Sequence, residues 1–263
     1  GKVGFAFKRV ARFFSTCWKI FPEFLLLVGN FSSKLLKIPS FMEKNPSTAL
    51  PEIIFGTSDK RLSNQISRLE KAGKLRKIAP RLYTSNLDDS PENIIRRHLF
   101  PILGKLFPGA VLSHRSALEF QPTPSGQVFL TYSYTKKISL PGLTIQLLAG
   151  NGAVSGDNPL TEGLFASQLE RALLENLQPA RKASGEPKTL PVSDLEDRLE
   201  QVARVQGEQA LNRLREKAAH LATELNMQAE FQKLNKIISS LLSSAPAKNL
   251  TSPLAIARAF GEP

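Results

Sequence analysis

Between residues 59 and 72 the apolar positions Leu62, Ile66 and Leu69 fall at i, i+4 and i+7, the spacing of a single buried stripe on an α-helix. The opposite side carries Arg61, Asn64, Gln65 and Arg68, and Gly73 follows as a left-handed stop. The period then changes. Leu75, Ile78 and Leu82 alternate with Lys74, Arg76, Lys77 and Arg81 on two short strands around Pro80, which turns the apolar side chains inward and the basic ones outward.

Downstream, Ser90-Pro91-Glu92 supplies an N-cap, a proline at the first helical position and an acid in the first turn. The helix it opens carries Ile94, Ile95, Leu99, Ile102, Leu103 and Leu106, with a kink expected at Pro101. Ala110-Val111-Leu112 reads as a strand and 113–120 as a short helix. Residues 127–134 and 143–148 read as strands, with Pro141-Gly142 marking a turn between them. A helix over 167–177 closes this part. Residues 181–188 read as a linker. Beyond it 193–242 is helical in two or three pieces, opened by a capping box at Ser193-Asp194-Leu195-Glu196. The final 250–263 begins another short helix and stops abruptly, so the chain is expected to continue.

Charge changes the picture, because it is concentrated. Residues 1–41 carry seven Lys/Arg and one acid, and 42–86 carry nine and four. Residues 87–263 carry nineteen and eighteen, so they add almost nothing to the net +12. Charge gathered on one compact unit is the footprint of a nucleic-acid binder. Residues 1–41 also hold eight of the sixteen Phe, the one Trp and the one Cys. Their best apolar run, Phe24-Leu25-Leu26-Leu27-Val28, is far shorter than the ~20 residues that span a bilayer, and Pro22 and Glu23 interrupt any signal-peptide core. Met42 is therefore read as the native start and 1–41 as a non-native or disordered extension; a basic amphipathic membrane-surface helix is the second reading. No stable membrane insertion is expected. A single cysteine excludes an intramolecular disulfide and points to a reducing, cytoplasmic setting. The three histidines lack metal-ligand spacing, so neither a metal nor a cofactor is expected.

The side chains on the 59–72 helix are those that read base edges: arginine pairs with guanine, asparagine and glutamine with adenine. Lys60, Ser63, Ser67 and Lys71 flank them and suit phosphates. Helix, glycine cap and basic hairpin in direct succession point to a winged helix-turn-helix. The candidate DNA-binding set is Lys60, Arg61, Asn64, Gln65, Arg68, Lys71, Lys74, Arg76, Lys77 and Arg81. The plain alternative is a solvated basic helix packed on a hairpin.

Residues 59–85 resemble the N-terminal winged helix of AbiEi-type antitoxins, the transcriptional regulators of viral-defence toxin–antitoxin loci. The shared pattern is a helix ending Arg-Leu-x-Lys-x-Gly, then Arg-Lys-Ile-Ala-Pro-x-Leu-Tyr. Gly109-Ala110-Val111-Leu112-Ser113-His114-Arg115-Ser116-Ala117-Leu118-Glu119 is similar to the family's strand followed by Ser-His-Arg-Ser-Ala-Leu. Ser167-Gln168-Leu169-Glu170-Arg171-Ala172-Leu173-Leu174-Glu175 is similar to its Ser-Pro-Glu-Arg-Ala-Leu-Leu-Asp helix, with Gln-Leu in place of Pro, which predicts a displaced helix start. The version here also resembles the N-terminal half of certain Fic/Doc-family proteins. The Fic loop His-Pro-Phe-x-Asp/Glu-Gly-Asn-Gly-x-Arg is absent: His98 precedes Leu99, His114 precedes Arg115 and His220 precedes Leu221. The inhibitory Ser/Thr-x-x-x-Glu-Gly/Asn motif is missing too, since Asn158 stands four positions before Glu162-Gly163.

The resemblance implies an α+β chain: a winged helix-turn-helix at 42–86, a small mixed α/β antitoxin-like domain at 87–180, a linker at 181–192 and a helical region at 193–263 leading toward a Fic-like domain. It implies a non-enzymatic regulator that binds double-stranded DNA and autoregulates a toxin–antitoxin or defence operon, with a toxin or a downstream Fic domain as protein partner and a homodimer left open. The alternative function is the non-catalytic regulatory half of an AMP-transferring Fic protein. Three further constellations read as structural. Ser113-His114-Arg115-Ser116 is a polar helix start whose Ser113 caps and whose Arg115 pairs with an acid, rather than a nucleophile and base. Gly150-Asn151-Gly152-Ala153-Val154-Ser155-Gly156 is a flexible connection rather than a phosphate cradle. Glu196, Asp197, Glu200, Glu208, Glu216 and Glu224 form a solvated face with i,i+4 pairs.

Overall fold

The computed structural model describes residues 50–161, 163–179 and 186–244. Expectations for 1–41, the first part of the linker and the tail beyond 244 lie outside the described residues. The described residues hold eight helices and two sheets. None of these helices is long and apolar enough to cross a membrane.

The first sheet is antiparallel, in the order β1-β3-β2, with β1 at Ile53–Phe55, β2 at Arg76–Ala79 and β3 at Leu82–Thr84. Leu75, Ile78 and Leu82 are buried as the alternation requires. Between β1 and β2 stands α1, Lys60–Lys71. Its start is fixed by Asp59, whose carboxylate accepts the N–H groups of Arg61 at 2.8 Å and Leu62 at 3.2 Å. Its end is a Schellman turn: Lys74 N–H reaches Leu69 O at 2.9 Å, Gly73 N–H reaches Glu70 O at 3.0 Å, and Gly73 has φ +69°.

One expectation fails here and another is not met among the described residues, which begin at 50. No second helix precedes α1 among the described residues, because the connection from β1 is only residues 56–59; the helix-turn-helix pair is not seen there. The stripe Leu62, Ile66, Leu69 is not buried. No residue of α1 is buried, and Leu62 is 40% exposed. Helical spacing assigns one side to a core only if an element stands there to cover it, and no side chain of α1 enters either apolar cluster.

The helix beginning at Ser90 is capped as expected, with Asn93 N–H donating to Ser90 Oγ at 3.3 Å. It breaks at His98 into α2 (Pro91–Arg97) and α3 (Leu99–Leu106) instead of bending at Pro101. Pro101 has no N–H for the Arg97 carbonyl and its ring crowds that carbonyl, so the ladder is interrupted one turn upstream of the proline.

The second sheet has six strands in the order β6-β7-β5-β4-β9-β8: β4 Ala110–Leu112, β5 Gln127–Tyr132, β6 Lys136–Leu140, β7 Leu143–Ala149, β8 Asn158–Thr161 and β9 Leu164–Ala166. The strands read at 127–134 and 143–148 are parallel neighbours, with Gln127 opposite Thr144 and Tyr132 opposite Ala149. The Pro141-Gly142 turn joins β7 to β6, an edge strand that β-propensity overlooks because it begins with two exposed lysines. Charged edges of this kind resist pairing with other chains. β8 was hidden in the same way by Pro159, which is tolerated at the opposite edge.

One face of this sheet packs Val128, Leu130, Ile145, Leu147 and Leu164 against Ile94, Ile95, Ile102 and Leu103 of α2 and α3, in the same cluster as Ile78, Ala79 and Leu82. The expected boundary at 86/87 thus runs through a shared core. Gly126 closes the sheet end: its φ is +76° and a Cβ there would stand 2.7 Å from the Gly142 carbonyl oxygen, a backbone atom. Gly126→Ala is expected to cost at least about 1 kcal/mol, from the left-handed backbone and the clash together, read as a lower denaturation midpoint.

The helix α4 (His114–Glu119) lies beside α5 (Leu169–Asn176), whose buried residues include Leu173 and Leu174. Those two leucines form a second core with α6 (Val192–Gln206), α7 (Glu208–Glu224) and α8 (Gln228–Ser244). The capping box does not form. The helix starts at Val192 behind Pro191 without a side-chain cap, and Ser193 Oγ turns to the Asp194 carboxylate at 3.3 Å. Nor does the acidic face pair: among the described residues none of Glu196, Asp197, Glu200, Glu208, Glu216 and Glu224 makes an ion pair. The described end of the 181–192 linker is docked rather than free. Lys188 O accepts Arg115 N–H at 3.1 Å, Asn176 Oδ1 accepts Leu190 N–H at 2.9 Å, and Leu190 is buried.

Candidate nucleic-acid interface

A helix turns 100° per residue, so Lys60, Arg61, Asn64, Arg68 and Lys71 share the side of α1 opposite Leu62, Ile66 and Leu69. All five are exposed, as are Lys74, Lys77 and Arg81 on the hairpin; Gln65 is half-buried at the flank. Among the described residues no ion pair or side-chain hydrogen bond occupies any of these nine. Their donors face solvent as a set, and the one acid in α1, Glu70, is half-buried. Twelve residues make α1 about 18 Å long, and a helix of that kind fits a B-DNA major groove about 12 Å wide.

Arg76, the tenth candidate, is engaged elsewhere. Its guanidinium donates to the backbone carbonyls of Asn86, at 3.3 Å, and Asp89, and its Nε is buried without a partner. It fastens the hairpin to the segment that leads into α2. Around this joint Glu52 binds His98 Nε2 at 2.6 Å, Asn86 Nδ2 at 2.8 Å and the Arg97 guanidinium, which also holds Asp89 at 2.7 Å. The His98 and Asn86 bonds, helped by Arg97, hold the Glu52 carboxyl down at about 2, and Arg97 lowers Asp89 as well. Alternation on the strand placed Arg76 outward; a loop doubling back beside β2 is what captures it, and that loop leaves no mark on the strand's own period.

The other two motifs converge elsewhere, on a buried polar network. Arg171, 2% exposed, donates Nε to Glu175 Oε1 at 2.8 Å, Nη1 to Asp157 Oδ2 at 2.5 Å and to Gly152 O at 2.9 Å, and Nη2 to Asn151 O at 2.8 Å. The 150–156 stretch expected to be flexible is therefore pinned by an arginine fork, and Asp157 secures it further through Val154 N–H and Gln168 N–H. Glu175 Oε2 accepts His114 N–H and Ser167 Oγ–H, both at 3.0 Å. Burial pushes the Glu175 carboxyl up against the pull of Arg171.

Lys188 donates to Gln178 Oε1 at 2.7 Å and stands 3.0 Å from His114 Nε2, which is also 3.2 Å from Gln178 Oε1, and His114 Nδ1 lies 3.0 Å from Ser113 Oγ. Ser113 makes no helix cap, contrary to expectation, because its hydroxyl is taken by His114. Arg115 does pair with acids: Glu119 at 2.8 Å and Glu186 at 3.3 Å. Serine and imidazole are thus in contact despite being neighbours in sequence, but both are buried. Periodicity missed Asp157 and Arg171. The available signal was an Arg–Glu pair at i,i+4 flanking the apolar run Ala172-Leu173-Leu174.

Among the described residues no group of three His, Cys, Asp or Glu is placed to hold a metal ion. No protein-family model matches the chain, and no curated protein matches it. What the fold and the surface define together is a mixed α/β protein in which an exposed, basic, double-capped helix is followed directly by a short antiparallel hairpin.

Proposed function

We propose that this chain binds double-stranded DNA through α1 and the β2–β3 hairpin, and that it is a transcriptional regulator of the AbiEi-antitoxin type acting on its own operon. The carrying observation is that α1 is capped at both ends and that Lys60, Arg61, Asn64, Arg68 and Lys71 along its polar side are exposed, so that side is presented rather than packed. The strand order β1-β3-β2 next to a helix supports a winged-helix reading of this unit. Asn64 and Arg68 are the base-reading candidates; Lys60, Lys71, Lys74 and Lys77 suit phosphates.

Titrating the full chain into labelled duplex DNA at increasing salt tests this. Affinity is expected to fall steeply, with a slope of log K on log salt of about −0.9 per phosphate contact. Lys77→Ala is expected to weaken all duplexes alike. Arg68→Ala is expected to relax discrimination between sites by roughly 1–3 kcal/mol. Arg76→Ala is expected to destabilise the hairpin instead, because it strips the donors from two loop carbonyls. Absence of binding at low salt, or binding indifferent to salt, rejects the proposal.

A further inference from the structure

Four non-glycine residues among the described set hold φ in the left-handed region: Arg81 at +61°, His114 at +52°, Phe120 at +53° and Asn226 at +56°. That conformation is unfavourable for a residue with a Cβ and persists where something compensates. Asn226 is of a type that tolerates it, and it sits in a second Schellman turn, with Met227 N–H on Ala222 O at 2.8 Å. His114 is repaid by the buried network. Phe120 ends α4 with its N–H on Ser116 O at 3.0 Å.

Arg81 has no such return from its side chain. The residue is exposed, and among the described residues its guanidinium makes no ion pair or hydrogen bond. What the fold uses is its backbone alone, whose carbonyl accepts Gly56 N–H at 2.7 Å. The turn has proline first and a positive φ second, a pattern that favours glycine at the second place. Glycine would relieve the backbone here without removing any contact that the arginine side chain makes.

Gly56 lies against the Arg81 backbone, with a built Cβ only 3.0 Å from Arg81 Cα, and it precedes the Asp59 cap by three residues. The turn therefore stands at the N-terminal end of α1, while Lys71 and Lys74 stand at the other end. Free cations mark both ends of a helix about 18 Å long.

Resting on the DNA-binding reading above, we propose that Arg81 is a phosphodiester clamp. Its guanidinium takes a backbone phosphate at the edge of the groove that α1 occupies, opposite the strand held by the lysines, and the backbone strain is offset only in the complex. The clamp contributes affinity without sequence preference.

The test compares the full wild-type chain with Arg81→Gly and Arg81→Lys, by thermal unfolding and by duplex binding over a salt series with A·T-rich and G·C-rich duplexes. Arg81→Gly is expected to raise Tm by roughly 2–4 °C. The same variant is expected to bind every duplex about five- to twentyfold more weakly, with a salt slope smaller by about one. Arg81→Lys keeps the strain and restores part of the affinity, since a lysine offers one charge but no fork. Unchanged affinity in Arg81→Gly beside a wild type that binds overturns the clamp and leaves the DNA reading standing. A loss confined to A·T-rich duplexes also overturns it, by making Arg81 a groove reader. A wild type that binds no duplex at low salt overturns both.

Discussion

Replacing Arg171 by methionine is expected to cost about 3–5 kcal/mol of folding free energy. The substitution leaves two carboxylates, Asp157 and Glu175, buried without their counter-charge, and it removes the donors of the Asn151 and Gly152 carbonyls. Volume is nearly conserved, so the loss is electrostatic and not a cavity. Domains of this size are stable by only about 5–15 kcal/mol, so the variant is expected to unfold at much lower urea. Arg171→Lys keeps the charge but loses the fork, and is expected to fall between the two. Adding Glu175→Leu to Arg171→Met is expected to recover part of the loss, because one uncompensated charge goes with it. A loss below 1 kcal/mol for Arg171→Met would show that water reaches the network.

Acidification is expected to destabilise the fold well before its surface carboxylates titrate, through His114. Burial, and then the Lys188 charge beside it, push the imidazole down to about 3, whereas in the unfolded chain it titrates near its ordinary ~6.5. Between those values the unfolded chain binds a proton that the folded chain refuses. His114 therefore contributes its full stability above pH 6.5 and loses it as the pH falls toward 3, at up to ~1.4 kcal/mol per unit. Glu175 acts in the opposite sense: its folded pKa is raised, so its contribution is present at low pH and is lost as the pH rises. The informative quantity is thus the difference between wild type and His114→Asn. The variant is expected to be less stable at pH 7.5 and to show a flatter decline between pH 6.5 and 5. Parallel declines in the two proteins would mean that His114 is not held neutral.

How legible these features were in the sequence follows from the range of the forces involved. The caps at Gly73 and Ser90 and the hairpin around Pro80 are local, settled by side chains and φ preferences within four or five residues, and their sequence signals sufficed; the Asp59 cap is equally local but was read as the first residue of the helix. The burial of Leu62, Ile66 and Leu69 was misread because periodicity names a side, not a neighbour. Arg76 was misread for the same reason, since its partners at Asn86 and Asp89 lie ten and thirteen residues on. The sheet order, in which β7 slots between β5 and β6, depends on contacts that no local pattern encodes. The nine free polar side chains on α1 and the hairpin were legible because exposure of charge is the default state, whereas Arg171 required knowing that three separate segments would meet around one guanidinium.

The isolation of α1 from both cores has a consequence for how such a chain changes over generations. A buried helix is constrained by every side chain it touches, and most substitutions on it are removed by selection before their effect on partners can matter. α1 is held by a cap at each end and by its connection to the hairpin. Substitutions along its outward side carry stability costs within about 0.5 kcal/mol, the range typical of exposed positions. The identities at 61, 64, 65 and 68 are therefore nearly free to drift while 59 and 73 stay fixed. Related chains are expected to share the two caps and the buried arginine fork, and to differ most along the one surface that chooses a partner.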